Sequence, residues 1–148
     1  FPALRTAWLV VPLPLVAAFR RQAQRLACPV PVLCQQTLAD FLREGHFWRH
    51  LKKMRVHYAE RRRWLETALR TEGFQVLEQL GGIQLVVTVE GDDRAMARRA
   101  RQAGLAVQAV NDWRIHPRGK AGLIMSFTNI VSQQMADAQV AALKAAIK

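Results

Sequence analysis

Between Phe47 and Leu69 the residues Phe47, Leu51, Met54, Tyr58, Leu65 and Leu69 recur at steps of three, four or seven. That period belongs to one face of an α-helix. It predicts a long helix over about 46–72, ended by Gly73, with one stripe committed to a core. Arg49, Lys52, Lys53 and Arg63 project elsewhere, towards solvent. Residues 43–70 hold nine Lys or Arg against three Glu, and so carry +6 of the chain's net +11. The remaining elements must supply the surface that covers the stripe.

Before the helix, "LRTAWLVV" (4–11) reads as a strand ending at Pro12. "PLVAAFRRQAQRL" reads as a helix with Leu15, Phe19 and Leu26 inward. Pro29 and Pro31 make "CPVPVLC" a connector. "VLCQQTLADFLREG" predicts a short helix with Leu38, Phe41 and Leu42 inward, stopped or broken at Gly45. After it, the period changes to two. Ile83, Leu85, Val87 and Val89 alternate with Gln84, Val86 and Thr88, as a strand with one apolar face does. "DDRAMARRARQAG" is acidic at its start and basic later, which suits a helix dipole, and Gly104 takes the C-cap position. "LAVQAV" and "GLIMSFTN" read as short strands. The last helix starts at an N-cap Ser132 and turns Ala136, Val140, Leu143 and Ile147 inward. The second half is therefore expected to be an α+β layer, a small sheet packed with helices. The first half has one strand, which cannot make a sheet alone. Its partners are expected outside this chain.

Composition narrows the function classes. At 148 residues and 51% hydrophobic content the chain is the size of one globular domain. The apolar run "AWLVVPLPLVAAF" is broken by Pro12 and Pro14 and is too short to span a bilayer. No secretory pattern is evident, so a cytoplasmic protein without membrane contact is expected. Cys28 and Cys34 have no second pair to complete a zinc site and are read as reduced thiols. His46 and His50 stand at a metal-pair spacing but lack a third ligand, so packing or capping at the helix start is expected and no metal. The "ERRR" run could meet DNA in isolation. Its helix is committed to a core, however, and a groove-reading helix needs a fold that presents it. The charge is read as a solvated face.

The stretch "EGHFWRHLKKMRVHYAERRRWLETAL" resembles a motif of the aminotransferase-like domain of MocR-type regulators. These are bacterial GntR-family proteins in which a winged helix is fused to a fold-type-I pyridoxal-phosphate module. The matching positions are His46, Arg49, His50, Met54, Arg55, Tyr58, Arg61, Arg62 and Leu65. "FPALRTAWLVVP" resembles the family segment that follows the cofactor lysine. "GGIQLVVTV" and "GLIMSFTNI" resemble its last strands. The resemblance covers essentially the whole chain, in order.

It implies the C-terminal part of a fold-type-I pyridoxal-phosphate-dependent transferase-like α/β fold. Residues 1–45 would be the tail of the large cofactor domain and 46–148 the small domain. The family's cofactor lysine lies just before the position matching Phe1, so no catalytic residue is expected in this chain. Arg5 matches the arginine that grips the cofactor phosphate, a role suited to a planar fork of donors. Ordinary aminotransferases hold a substrate carboxylate with an Arg on the penultimate strand. Here Ile124 stands in that slot. Arg114 and Arg118, in the loop just before, are the alternatives for the substrate carboxylate, beside the plainer reading that both are surface loop arginines; of the two, Arg114 is preferred because it follows Trp113. None of Lys52, Lys53, Lys120, Lys144 and Lys148 sits in a buried turn after a strand, where it could replace the cofactor lysine. The resemblance implies pyridoxal phosphate and a small amino-compound effector as ligands of the intact protein. It also implies DNA contact only through an N-terminal domain, and a homodimer. A fragment of a catalytic aminotransferase is the alternative.

Overall fold

The computed structural model describes residues 6–26, 30–116 and 119–148. Its internal contacts divide the chain into two units, Phe1–Lys52 and Lys53–Lys148. The division falls two turns into the long helix.

In the first unit a short 3-10 turn at Leu13–Leu15 leads into α1 (Val16–Leu26), and Pro31 precedes α2 (Val32–Arg43). Both helices form where the spacing predicts. Their burial differs from expectation: neither contains a buried residue. Leu15 and Phe19 are each 47% exposed and Leu26 is 84% exposed. The apolar face of α1 has the right period but is left largely exposed by the described residues of its unit. Residues 6–12 are not a strand. A strand is held by a ladder of hydrogen bonds to a neighbour, and no described residue offers one. Residues 4 and 5 of the expected strand, and Cys28, lie outside the described residues. Cys34 is a half-buried free thiol.

The long helix α3 (His46–Thr71) runs for 26 residues. Its stripe is half-buried at Phe47, Leu51, Met54 and Tyr58 and fully buried at Leu65 and Leu69. Gly73 ends it as the sequence predicts. With φ +87°, Gly73 lets its own N–H reach Arg70 O and the Phe74 N–H reach Leu69 O, and Phe74 folds back on the core.

The second unit is an antiparallel sheet of four strands with helices on one face. The strands are β1 (Gln75–Val76), β2 (Gln84–Thr88), β3 (Val107–Ala109) and β4 (Gly122–Ser126), in spatial order β1-β2-β4-β3. Between β2 and β3 lies α4 (Asp93–Gln102), and α5 (Gln133–Ile147) ends the structure. The register places Leu85 against Met125, Val87 against Leu123, and Val107 and Ala109 against Met125 and Leu123. These side chains share one face and are all buried. Ala97, Ala100, Ala136, Val140, Leu143 and the buried end of α3 complete the core. The predicted alternation holds at Leu85 and Val87. Ile83 lies just before the strand and is exposed. Both predicted helix starts are capped. Asp92 accepts from the Arg94 and Ala95 N–H groups, and Ser132 from the Met135 N–H.

Candidate functional site

The segment from β3 to β4 carries Arg114, and its placement starts with α4. Asp92 caps that helix, so Asp93 occupies the first helical position and turns inward. It is 1% exposed. Its carboxylate accepts from the Asn111 backbone N–H at 3.2 Å, the Asn111 Nδ2 at 3.1 Å and the Gly122 N–H at 3.0 Å. One buried carboxylate thus holds both ends of the segment, the 3-10 turn Val110–Asp112 and the first residue of β4. Gly122 has no room for a side chain: a Cβ there would lie 2.8 Å from the Val87 carbonyl oxygen.

Arg114 is half-buried in this segment. Its Nη1 donates to Lys120 O at 2.9 Å and to Asn111 Oδ1 at 3.3 Å. Trp113 beside it is exposed, with its indole N–H donating to Gln108 Oε1 at 3.1 Å. Asn111 and Lys120 also line an open cleft of about 870 Å³. Phe74, Met96 and Ile147 give it apolar walls, and Lys144 stands at its edge. The Lys144 ammonium is tied to Glu72, donating to its carbonyl at 3.1 Å and its carboxylate at 2.9 Å. Arg5 and Arg118 lie outside the described residues. Ile124 is half-buried on the face of the sheet opposite the core, in register with Val86 and Gln108.

The other candidates resolve into structural roles. His46 accepts from Arg49 Nη2 at 2.8 Å through Nδ1, which leaves Nε2–H to donate to Glu44 at 3.0 Å. Its ring stacks on Phe41 with centroids 5.7 Å apart. No group of three metal-ligating side chains occurs among the described residues. Of the "ERRR" run, Arg63 is exposed as expected. Arg61 and Arg62 correct the reading of a solvated face. Arg61 donates to Thr128 O, and Arg62 to Gln79 O at 3.0 Å. Sequence reasoning missed Asp93 and Asn111. The acidic pair at 92–93 was legible only as a complement to the helix dipole, because both residues look alike until the helix start is fixed to the residue.

Residues 1–128 match the family model of aminotransferase class I and II. The chain belongs to that family. Among proteins with curated descriptions, it is 31% identical over 140 residues to the "probable rhizopine catabolism regulatory protein MocR" of Rhizobium meliloti. The match covers 91% of this chain and 28% of that protein. It is 33% identical over 112 residues to the "HTH-type transcriptional regulator TauR" of Rhodobacter capsulatus, covering 73% of this chain and 23% of that one. The α-aminoadipate aminotransferase of Thermus thermophilus, solved in complex with N-(5'-phosphopyridoxyl)-L-leucine, superposes with a TM-score of 0.82 at 22% identity. That match covers 99% of this chain and 38% of the aminotransferase. The fold is therefore that of the fold-type-I aminotransferases, and the chain spans between 23% and 38% of the length of these relatives.

Within this aminotransferase-family chain, a lysine that carries the cofactor would have to be desolvated, so that its amine is neutral and nucleophilic. Lys52, Lys53, Lys120 and Lys148 are exposed, and Lys144 is ion-paired with Glu72. None of these five lysines meets that requirement. No helix among the described residues is long and apolar enough to cross a membrane.

Proposed function

We propose that this chain is the C-terminal part of a MocR-type transcriptional regulator. Its aminotransferase-like module would sense a small amino compound through pyridoxal phosphate. The observation that carries the reading is the similarity to two regulators along most of the chain, within a fold shared with solved aminotransferases. Residues 1–45 belong to the tail of the large cofactor domain and 46–148 form the small domain. Arg5 grips the cofactor phosphate, and Arg114 meets a carboxylate on the effector. DNA is bound by a winged helix in the N-terminal part of the intact protein, a cytoplasmic homodimer. When bound, pyridoxal phosphate supplies an electrophile for the effector's amine. Effector binding then shifts the population of domain arrangements, and with it DNA affinity.

Ile124 supports sensing over turnover. A branched alkyl side chain offers no donor to a carboxylate at the position where the resemblance puts the aminotransferases' arginine. The alternative, a fragment of a catalytic aminotransferase, takes its support from the family model and the solved relatives.

The test is made on the full-length protein. Pyridoxal phosphate is added, the visible spectrum recorded, and the measurement repeated with Arg5→Ala. A cofactor band that weakens in the variant, with effector-dependent DNA binding and no turnover, is expected. Steady conversion of an amino acid to its oxoacid would favour the alternative. No cofactor band in the intact protein would refute both.

A further inference from the structure

We propose that Asp93 and Asn111 are positioning residues for Arg114, fixing which edge of its guanidinium can meet a carboxylate-bearing ligand. The inference rests on the assignment of Arg114 made above.

The geometry starts from the buried carboxylate. Asp93 takes three N–H groups, two from Asn111 and one from Gly122. Because Asn111 gives its Nδ2 to Asp93, its side-chain amide has one favoured orientation. Flipping it would set Oδ1 against a carboxylate oxygen, two acceptors with no proton between them. The fixed orientation turns Oδ1 towards Arg114 Nη1, at 3.3 Å. Lys120 O takes the other hydrogen of the same nitrogen, at 2.9 Å. Gly119, at φ +108°, brings bare backbone close to the guanidinium: a Cβ there would lie 3.3 Å from Nη2.

Nη1 is thus fully engaged by the loop. Among the described residues, nothing accepts from Nε or Nη2 of Arg114. Those two nitrogens form the edge that pairs with both oxygens of a carboxylate at once. The relay Asp93–Asn111–Arg114 therefore occupies one edge and leaves the bidentate edge for a ligand. Preorganisation of this kind raises affinity by removing rotamer freedom before the ligand arrives.

The test uses the full-length protein with pyridoxal phosphate added, and two probes that differ only in a carboxylate: L-alanine and ethylamine. Half-saturation concentrations are read by titration calorimetry for the parent protein and for Arg114→Ala, Asp93→Asn and Asn111→Ala. We expect the parent to prefer L-alanine. Arg114→Ala should reduce that preference about tenfold or more. Asp93→Asn and Asn111→Ala should each reduce it roughly threefold to tenfold, with ethylamine binding unchanged. General damage to the fold would weaken both probes alike, so the ratio separates positioning from unfolding. If Asp93→Asn fails to fold, Asn111→Ala decides, since it keeps the backbone N–H bond to Asp93. A preference lost in Arg114→Ala but kept in the foldable positioning variants overturns this inference and leaves the role of Arg114 standing. A parent with no preference, or an Arg114→Ala variant that keeps it, overturns the role of Arg114 and this inference with it.

Discussion

Leu69→Ala is the sharpest test of what the long helix is for. Leu69 is 0% exposed and lies one turn beyond Leu65, in the same core as Leu85, Val87 and Leu143. Truncation removes the equivalent of three methylene groups, about 2.4 kcal/mol of transfer free energy at ~0.8 kcal/mol each. The hole left behind adds to this, because the sheet and α5 relax only in part. Buried Leu→Ala changes cost about 2–5 kcal/mol in all, and about 3 kcal/mol is the working figure. With a urea m-value of about 1.5 kcal/mol/M, that lowers the midpoint by about 2 M. Urea unfolding of the 148-residue chain, followed by far-UV circular dichroism, reads the shift. Arg63→Ala on the exposed side of the same helix should change stability by less than about 0.5 kcal/mol. If Leu69→Ala costs under about 1 kcal/mol, or no more than Arg63→Ala, the stripe does not hold the helix to the sheet. The helix would then be free to seek a nucleic-acid groove.

Gly122→Ala should destabilise by about 1–3 kcal/mol, because its Cβ would press on the Val87 carbonyl; thermal unfolding measures this. Asp92→Ala and Ser132→Ala should each cost about 1 kcal/mol through loss of a helix cap, read by the same melts. Lys144→Met removes a half-exposed ion pair with Glu72 and should change stability by no more than about 1 kcal/mol. The difference from the parent should shrink further in high salt, and an effect that does not respond to salt would show that the carbonyl contact matters more than the charge.

Periodicity made the second unit legible and the first only half so. The α3 stripe, the Leu85–Val87 alternation, the capped start at Ser132 and the stop at Gly73 all depend on neighbours within a few residues. Such patterns survive in the sequence. Leu15, Phe19 and Leu26 carry the same helical period, yet α1 buries none of them. Period says that a face is apolar; it does not say what covers that face, which is decided by elements far away or on another part of the protein. The strand expected at 4–11 differs for the same reason, since β-branched and apolar residues favour a strand only where a partner ladder exists. Asp93 and Asn111 stand eighteen residues apart and meet only because α4 packs beside β3. No local pattern could have joined them.

The net charge is where chain-wide composition says least. A surplus of arginine first suggests a polyanion as partner. In the second unit, Arg61, Arg62, Arg94, Arg99 and Arg101 each donate to a backbone carbonyl of another segment, and Arg114 to one within its own loop. Arg99 shows the physics most clearly. Its Nε and Nη2 reach Ala146 O and Ile147 O, the unpaired carbonyls at the end of α5, each at 3.0 Å. A helix C-terminus carries partial negative charge and carbonyls without intrahelical donors, and a guanidinium answers both. A Lys could supply the charge there but not two N–H groups in a fixed fork. Most of these arginines are joints that tie a side chain of one segment to a main-chain carbonyl of another. A cation already held by carbonyls gives up those bonds before it can meet a phosphate, which weakens it as a DNA contact. Arg99→Lys should therefore lower the stability of α5, seen as faster amide exchange in its last turn, while leaving the affinity of this chain for random DNA unchanged. A drop in DNA affinity with unchanged exchange would reverse the assignment.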